Sequence, residues 1–163
     1  MALLRNEKDN FEVVVSYVFN KDGDICVLDD LDHKTLSLTK EEKEKIAEED
    51  RRSAASNIPF NRTLDLLEFS EKDVRKATFS FRKPVLDDMP VLLSSFIKIN
   101  SSGDMAPGDV FEFSNRKVKL LFVKGKAQEQ DGSEIKITKE NIGNIPPVLG
   151  SAMSMKLASV LNI

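Results

Sequence analysis

The sequence predicts an α+β protein assembled from short antiparallel strands and a few separate helices. Three stretches carry that prediction. "FEVVVSYVFNKDGDICVL" (residues 11–28) is a pair of β-branched, aromatic-rich runs around a turn. Thr39 with Glu42 three residues on forms a capping box that opens "KEEKEKIAEEDRRSAAS". The end of the chain, "VLGSAMSMKLASVLNI", is apolar at helical spacing. Strands and helices do not alternate as βαβ units, which points to α+β rather than a parallel α/β sheet.

With 163 residues, 40% hydrophobic and 31% charged, the chain fits an ordinary globular protein. By length it is one domain, or a compact domain with a small appendage; its segments are an N-terminal hairpin module (1–36), a charged bridging helix (37–57) and a main α+β body (58–163), all of which can belong to one domain. Ten Phe against one Tyr and no Trp favour interior packing over a wet recognition surface. Cys26 is the only cysteine, so no intramolecular disulfide can form, and within "DICVL" it reads as a small buried hydrophobe in a reducing compartment. No apolar run approaches the length of a membrane span, and the first residues turn polar too soon for a secretory signal, so a cytoplasmic location is expected.

Taken in order, Asn20, Asp22 and Gly23 supply the hairpin turn. The helix that follows Thr39 should run over about 40–55. Eleven of its thirteen residues from Lys40 to Arg52 are charged, leaving Ile46 and Ala47 to face a core. A helix so polar all round is solvated, bridges two modules, or is held by a charged partner. "NIPFN" breaks the chain, and a short helix is expected near 62–68 or 70–76. "ATFSF" alternates as a strand with Phe79 and Phe81 on one face. Met89, Leu92, Leu93, Phe96 and Ile97 then form one helical stripe, with Pro90 in the first turn and Asp87 or Asp88 at the N-cap. "VFEF" and "KVKLLFVKG" read as strands joined at "SNRK", with "SEIKIT" as the next strand, making a small C-terminal sheet.

Few residues suggest chemistry. Asp87 and Asp88 are adjacent carboxylates, which point apart on most backbones and read as helix punctuation rather than an acid–base pair. Asp29, Asp30, Asp32 and His33 form a loose oxygen and nitrogen cluster that matches no ordered metal loop. His33 would have to reach Cys26 to make a nucleophile and base. The sequence carries no phosphate-binding glycine loop and no CxxC pair. No catalytic residue, cofactor or metal site is therefore assigned. Net charge is −3, but residues 1–36, 37–114 and 115–163 carry −4, −3 and +4. That gradient suits head-to-tail contact between copies, or a solvated surface.

Within "ATFSFRKPVLDDMPVLLSSF", Phe79, Phe81, Arg82, Lys83, Pro84, Asp87 and Asp88 form a pattern that resembles tail-assembly and structural proteins of tailed bacteriophages. A strand there ends in Arg-Lys-Pro and leads through an acidic residue into a helix. The resemblance covers about 20 of the 163 residues, 78–96. It implies a non-enzymatic virion or tail-assembly component, located in the virion, that works by surface complementarity with other subunits or copies of itself. Glu48, Glu49 and Asp50 on the charged helix and Met153, Met155 and Leu157 on the C-terminal helix are the expected partner-binding residues. The alternative is a nucleic-acid-binding or host-factor-masking regulatory protein, using Arg116, Lys117, Lys119, Lys124 and Lys126 of a basic 116–126 hairpin.

Overall fold

The computed structural model describes residues 9–54, 66–99, 101–108 and 110–161. Strands β1 (Phe11–Phe19), β2 (Ile25–Leu28), β3 (Arg75–Phe81), β6 (Phe122–Gln128) and β7 (Glu134–Ile137) form one antiparallel sheet in the order β2-β1-β3-β6-β7. Strands β4 (Ile97–Ile99) and β5 (Met105–Pro107) make a separate two-stranded ribbon. Among the described residues the helices are α1 (Asp30–Leu36), α2 (Lys40–Ala54), α3 (Met89–Phe96), α4 (Val110–Leu121) and α5 (Pro147–Leu161). The fold is α+β.

The β1–β2 hairpin forms as its turn residues dictate. Gly23 takes a φ of 84°, a left-handed conformation that costs glycine little. The Asn20 side chain accepts from the amides of Asp22 and Asp24 at 2.9 and 2.8 Å. The hairpin continues into the rest of the molecule, because Phe11 to Tyr17 pair with Phe81 to Arg75 on β3. Strands from the 1–36 and 58–163 segments thus share one sheet.

Period-two alternation sends Val13, Val15 and Tyr17 of β1 and Ala77, Phe79 and Phe81 of β3 into the main core, against Phe122 of β6 and helices α4 and α5. Phe81 meets Phe122 edge-to-face, with centroids 5.9 Å apart. Each of these fully buried aromatic side chains contributes about 2–3 kcal/mol of transfer free energy. The Tyr17 hydroxyl donates to the Gln128 carbonyl at 2.6 Å and accepts from the Gln128 amide at 3.1 Å, which satisfies its polar end. Gly125 is required by close approach: a Cβ there would lie 2.9 Å from the Thr78 carbonyl oxygen. On the other sheet face a second cluster of Val18, Leu28, Leu36 and Leu66 sits beneath the N-terminal hairpin.

Helix α2 starts as predicted, with the Thr39 amide donating to Glu42 at 2.8 Å and the Glu42 amide to the Thr39 hydroxyl at 3.3 Å. Ala47 is buried, Ile46 is half-buried, and Lys43 is drawn in as well, donating to the Phe69 carbonyl at 2.8 Å. The expected helix near 70–76 is instead a 3-10 turn at Glu71–Asp73 followed by β3, and residues 62–65 lie outside the described residues.

The largest correction concerns residues 110–121. "VFEF" and the start of "KVKLLFVKG" are not strands: they are helix α4, and the strand begins only at Phe122. Over five residues Lys117–Leu121 looks alternating, but Val118 and Leu121 are three apart and both buried, and Glu112 pairs with Arg116 one turn on at 2.6 Å. The helical period wins because α4 packs against α3 and α5, and Val118 and Leu121 join the core that covers the sheet. No 116–126 hairpin exists, and the sheet neighbour of β6 on this side is β3, where Arg82 donates its amide to the Leu121 carbonyl at 2.9 Å.

Candidate interaction surface

Three of the residues offered for chemistry, Asp29, Asp32 and Asp88, are engaged in local structure. Asp29 caps α1 by accepting from the Asp32 amide at 2.8 Å, and Asp32 returns the contact by accepting from the Asp29 amide at 2.8 Å. Two of the three carboxylates near His33 therefore close the helix start, and among the described residues no group of three potential ligands converges. Asp88 is buried and Asp87 exposed. Asp88 stands at the N-cap of α3, but its carboxylate does not make the capping contact expected of Asp87 or Asp88 there. It points back, accepting from the Val85 amide at 2.7 Å and from both guanidinium nitrogens of Arg82 at 2.5 and 2.6 Å. This bidentate pair ties the end of β3 to the start of α3, and the contact holds the Arg82 pKa above its ordinary value.

The five basic residues of the nucleic-acid alternative are dispersed. Arg116 is held by Glu112, and Lys117 is only 2% exposed, its ammonium 5.0 Å from the centre of the Phe113 ring. Burial pushes the Lys117 pKa down. Lys119 stays exposed on α4, on the side of the sheet that holds the main core. Lys124 and Lys126 stand on the opposite face, since the register pairs them with Ser80 and Thr78 while Phe79 and Ala77 point into the core. There Lys126 lies across from Lys136, with Lys76 on the same face, and Lys126 also pairs with Glu134 at 3.0 Å.

Helix α5 divides its expected contact residues. Met153 and Leu157 are core residues, so their assignment to partner binding is corrected; Met155 is 69% exposed. The helix spans 147–161 with Lys156 as its single charged residue, and the Lys156 ammonium is turned to the Val14 carbonyl at 2.7 Å. Two grooves flank it. One, of about 940 Å3, runs between α5 and the α1–α2 edge, over Val27, Leu31, Leu38, Ile46, Ala152 and Met155. The other, of about 600 Å3, runs between α5 and α4, over Phe111, Val118, Ile142, Ile145, Met153 and Met155. The fold thus brings the Asp29–His33 stretch and Met155 to the same groove. On α2, Glu48 pairs with Arg51 at 3.3 Å and Arg52 at 3.6 Å, while Glu49 is exposed and Asp50 half-buried.

Among the described residues, exposed large apolar side chains gather in the excursion between β3 and β6, residues 86–121. Leu86 is 84% exposed, Phe111 81% and Leu93 51%, with Met89, Val91 and Ile97 also exposed. Of the stripe predicted for α3, Leu92 is buried while Met89, Leu93 and Ile97 face outward. Sequence reasoning missed Leu86, Val91, Phe111 and Leu31 as surface residues. A usable signal lay in "VLDDMPVLL", where apolar residues occupy more of the helix circumference than one buried face needs.

Comparison with known proteins finds no matching family model, curated protein or solved structure.

Proposed function

We infer that the chain is a non-enzymatic assembly protein that works by contact with further copies of itself and with other subunits. The observation that carries this reading is the concentration of exposed large apolar side chains, Leu86, Leu93 and Phe111 foremost, on one excursion of the chain. Large apolar side chains left exposed on one segment are the groups that a protein interaction site is built from. Engagement of Asp29, Asp32 and Asp88 in caps and an ion pair supports the same reading, because these groups already have structural work. The likeness of residues 78–96 to tailed-phage tail-assembly proteins supplies the setting we propose: a component of a virion or of its assembly.

The test is the mass in solution of the wild type and of a Leu86→Glu/Leu93→Glu/Phe111→Glu variant. All three side chains are exposed, so the variant should fold with unchanged circular dichroism. We expect assemblies from the wild type and a smaller mass from the variant. A wild type that stays monomeric at every concentration removes this function.

One observation favours a second reading. Lys76, Lys124, Lys126 and Lys136 share an open sheet face, an arrangement able to track a phosphate backbone. It predicts retention on a DNA or RNA column that falls steeply with salt; free passage at low salt removes it.

A further inference from the structure

The two ends of the five-stranded sheet are unlike. At one end β2 has α1 and α5 packed against it, whereas β7 closes the other end with Glu134, Ile135 and Lys136 exposed. The β6–β7 hairpin sets the direction of the β7 backbone groups. The Glu129 amide donates to the Ser133 carbonyl at 2.8 Å, so in the alternation of an antiparallel ladder Ile135 and Ile137 also face β6, while Glu134 and Lys136 face outward. The Lys136 carbonyl agrees, accepting from the Asn141 side-chain amide on the outer side at 3.3 Å. Outward amides and carbonyls on a sheet edge are a template for a further strand. The charges beside this edge are unbalanced within one copy. Lys126 and Lys136 stand directly opposite in the narrow, non-hydrogen-bonded register, where like charges cost stability. Glu134 goes to Lys126 at 3.0 Å, and among the described residues no carboxylate pairs with Lys136.

The strand that would supply the missing carboxylate is β7 itself. Its order Glu134, Ile135, Lys136 is complementary to its own reverse. A two-fold axis through Ile135, normal to the sheet, sets Glu134 of each copy opposite Lys136 of the other and Ile135 opposite Ile135. Backbone parity permits this register: the outward-facing residues 134 and 136 become the hydrogen-bonded pairs, and Ile135 becomes the close, non-hydrogen-bonded pair. Moving the axis to residue 134 or 136 keeps the parity but opposes Glu to Glu or Lys to Lys, so charge selects one register. Ile135 is 45% exposed and lies on the core side of the sheet, lining a groove of about 400 Å3 with Tyr17, Ile25 and Ile145, and the second copy's Ile135 extends that apolar lining. Pairing exchanges the Asn141 contact at the Lys136 carbonyl for the second copy's Glu134 amide, while Asn141 keeps its 2.7 Å bond from the Thr138 amide.

We propose that two copies join β7 to β7, antiparallel about Ile135, so that their sheets become one. This rests on the assembly reading above and adds a contact separate from the apolar excursion. The contact is isologous and uses the edge of both copies, so it closes at two. Three facing residues a side make a small interface, and the pairing is concentration-dependent. The test uses two charge variants and a cysteine. Glu134→Lys sets lysine against lysine and Lys136→Glu sets glutamate against glutamate, so each alone should weaken the pairing about tenfold. An equimolar mixture of the two should pair as the wild type does, because each then meets the opposite charge. In a Cys26→Ala background, Ile135→Cys should give a disulfide dimer under mild oxidation, since facing Cα atoms about 4.5 Å apart fall within disulfide range. Single variants that pair like the wild type, or a mixture that pairs no better than its parts, overturn the proposal. So does crosslinking through Lys136→Cys in place of Ile135→Cys. Any of these results with an oligomeric mass leaves the assembly function intact. A monomeric mass at every concentration, with no crosslink, removes both.

Discussion

At the scale of single residues, the adjacent Asp87 and Asp88 show how context separates identical side chains. Both were legible as punctuation, and only Asp88 acts as such, with a direction opposite to the one its sequence position suggests. Proline at position 90 already relieves α3 of one unmatched amide, so the Asp88 carboxylate is better used by the Arg82 fork and the Val85 amide behind it. Asp88→Asn should destabilise the fold by about 3 kcal/mol, because it leaves a largely buried guanidinium without its counter-charge. Asp87→Asn should change stability by less than about 0.5 kcal/mol, the usual range for an exposed position. Urea unfolding of the two variants checks this, and equal effects would contradict it.

Lys117 gives a prediction of opposite sign. Its burial over Phe113 penalises the charged form, so the folded-state pKa is lowered. Between that lowered value and the ordinary lysine range the unfolded chain binds more protons, and stability rises with pH. Lys117→Met keeps the apolar stem and removes the charge, so it should stabilise the protein by about 1 kcal/mol at neutral pH. That advantage should shrink as pH approaches the ordinary lysine range. Thermal or urea midpoints of both proteins across that range test it; a constant difference would show that the ammonium is not under a burial penalty.

At the scale of elements, what could be read from sequence was what local chemistry decides. The β1–β2 turn follows from Asn20 and Gly23, α2 from its Thr39–Glu42 box, and β3 from the alternation of Phe79 and Phe81. Thr39→Ala should cost about 1 kcal/mol through the lost cap, seen as a lower unfolding midpoint; no change would mean that α2 is held by the Lys43 and Ala47 contacts alone. Helix α4 was read as strands because a short window of alternating Lys and apolar residues satisfies both periods. What decides it is packing against α3 and α5, which no single-sequence window contains. The same blindness explains the interaction surface. Met153, Met155 and Leu157 share one helix and similar hydrophobicity, and only the placement of α5 over β1 and β2 makes two of them core and one exposed.

At the scale of the whole molecule, the five-stranded sheet joins the N-terminal hairpin to the body, and among the described residues large apolar side chains stay exposed on the excursion of α3 and α4 and at Met155 of α5. The measurement that tests the account most directly is the absolute mass of the untagged protein by light scattering over a wide concentration series. The account predicts a mass that rises with concentration to at least twice the 18.3 kDa of one chain. A mass fixed at one chain throughout the series would contradict it.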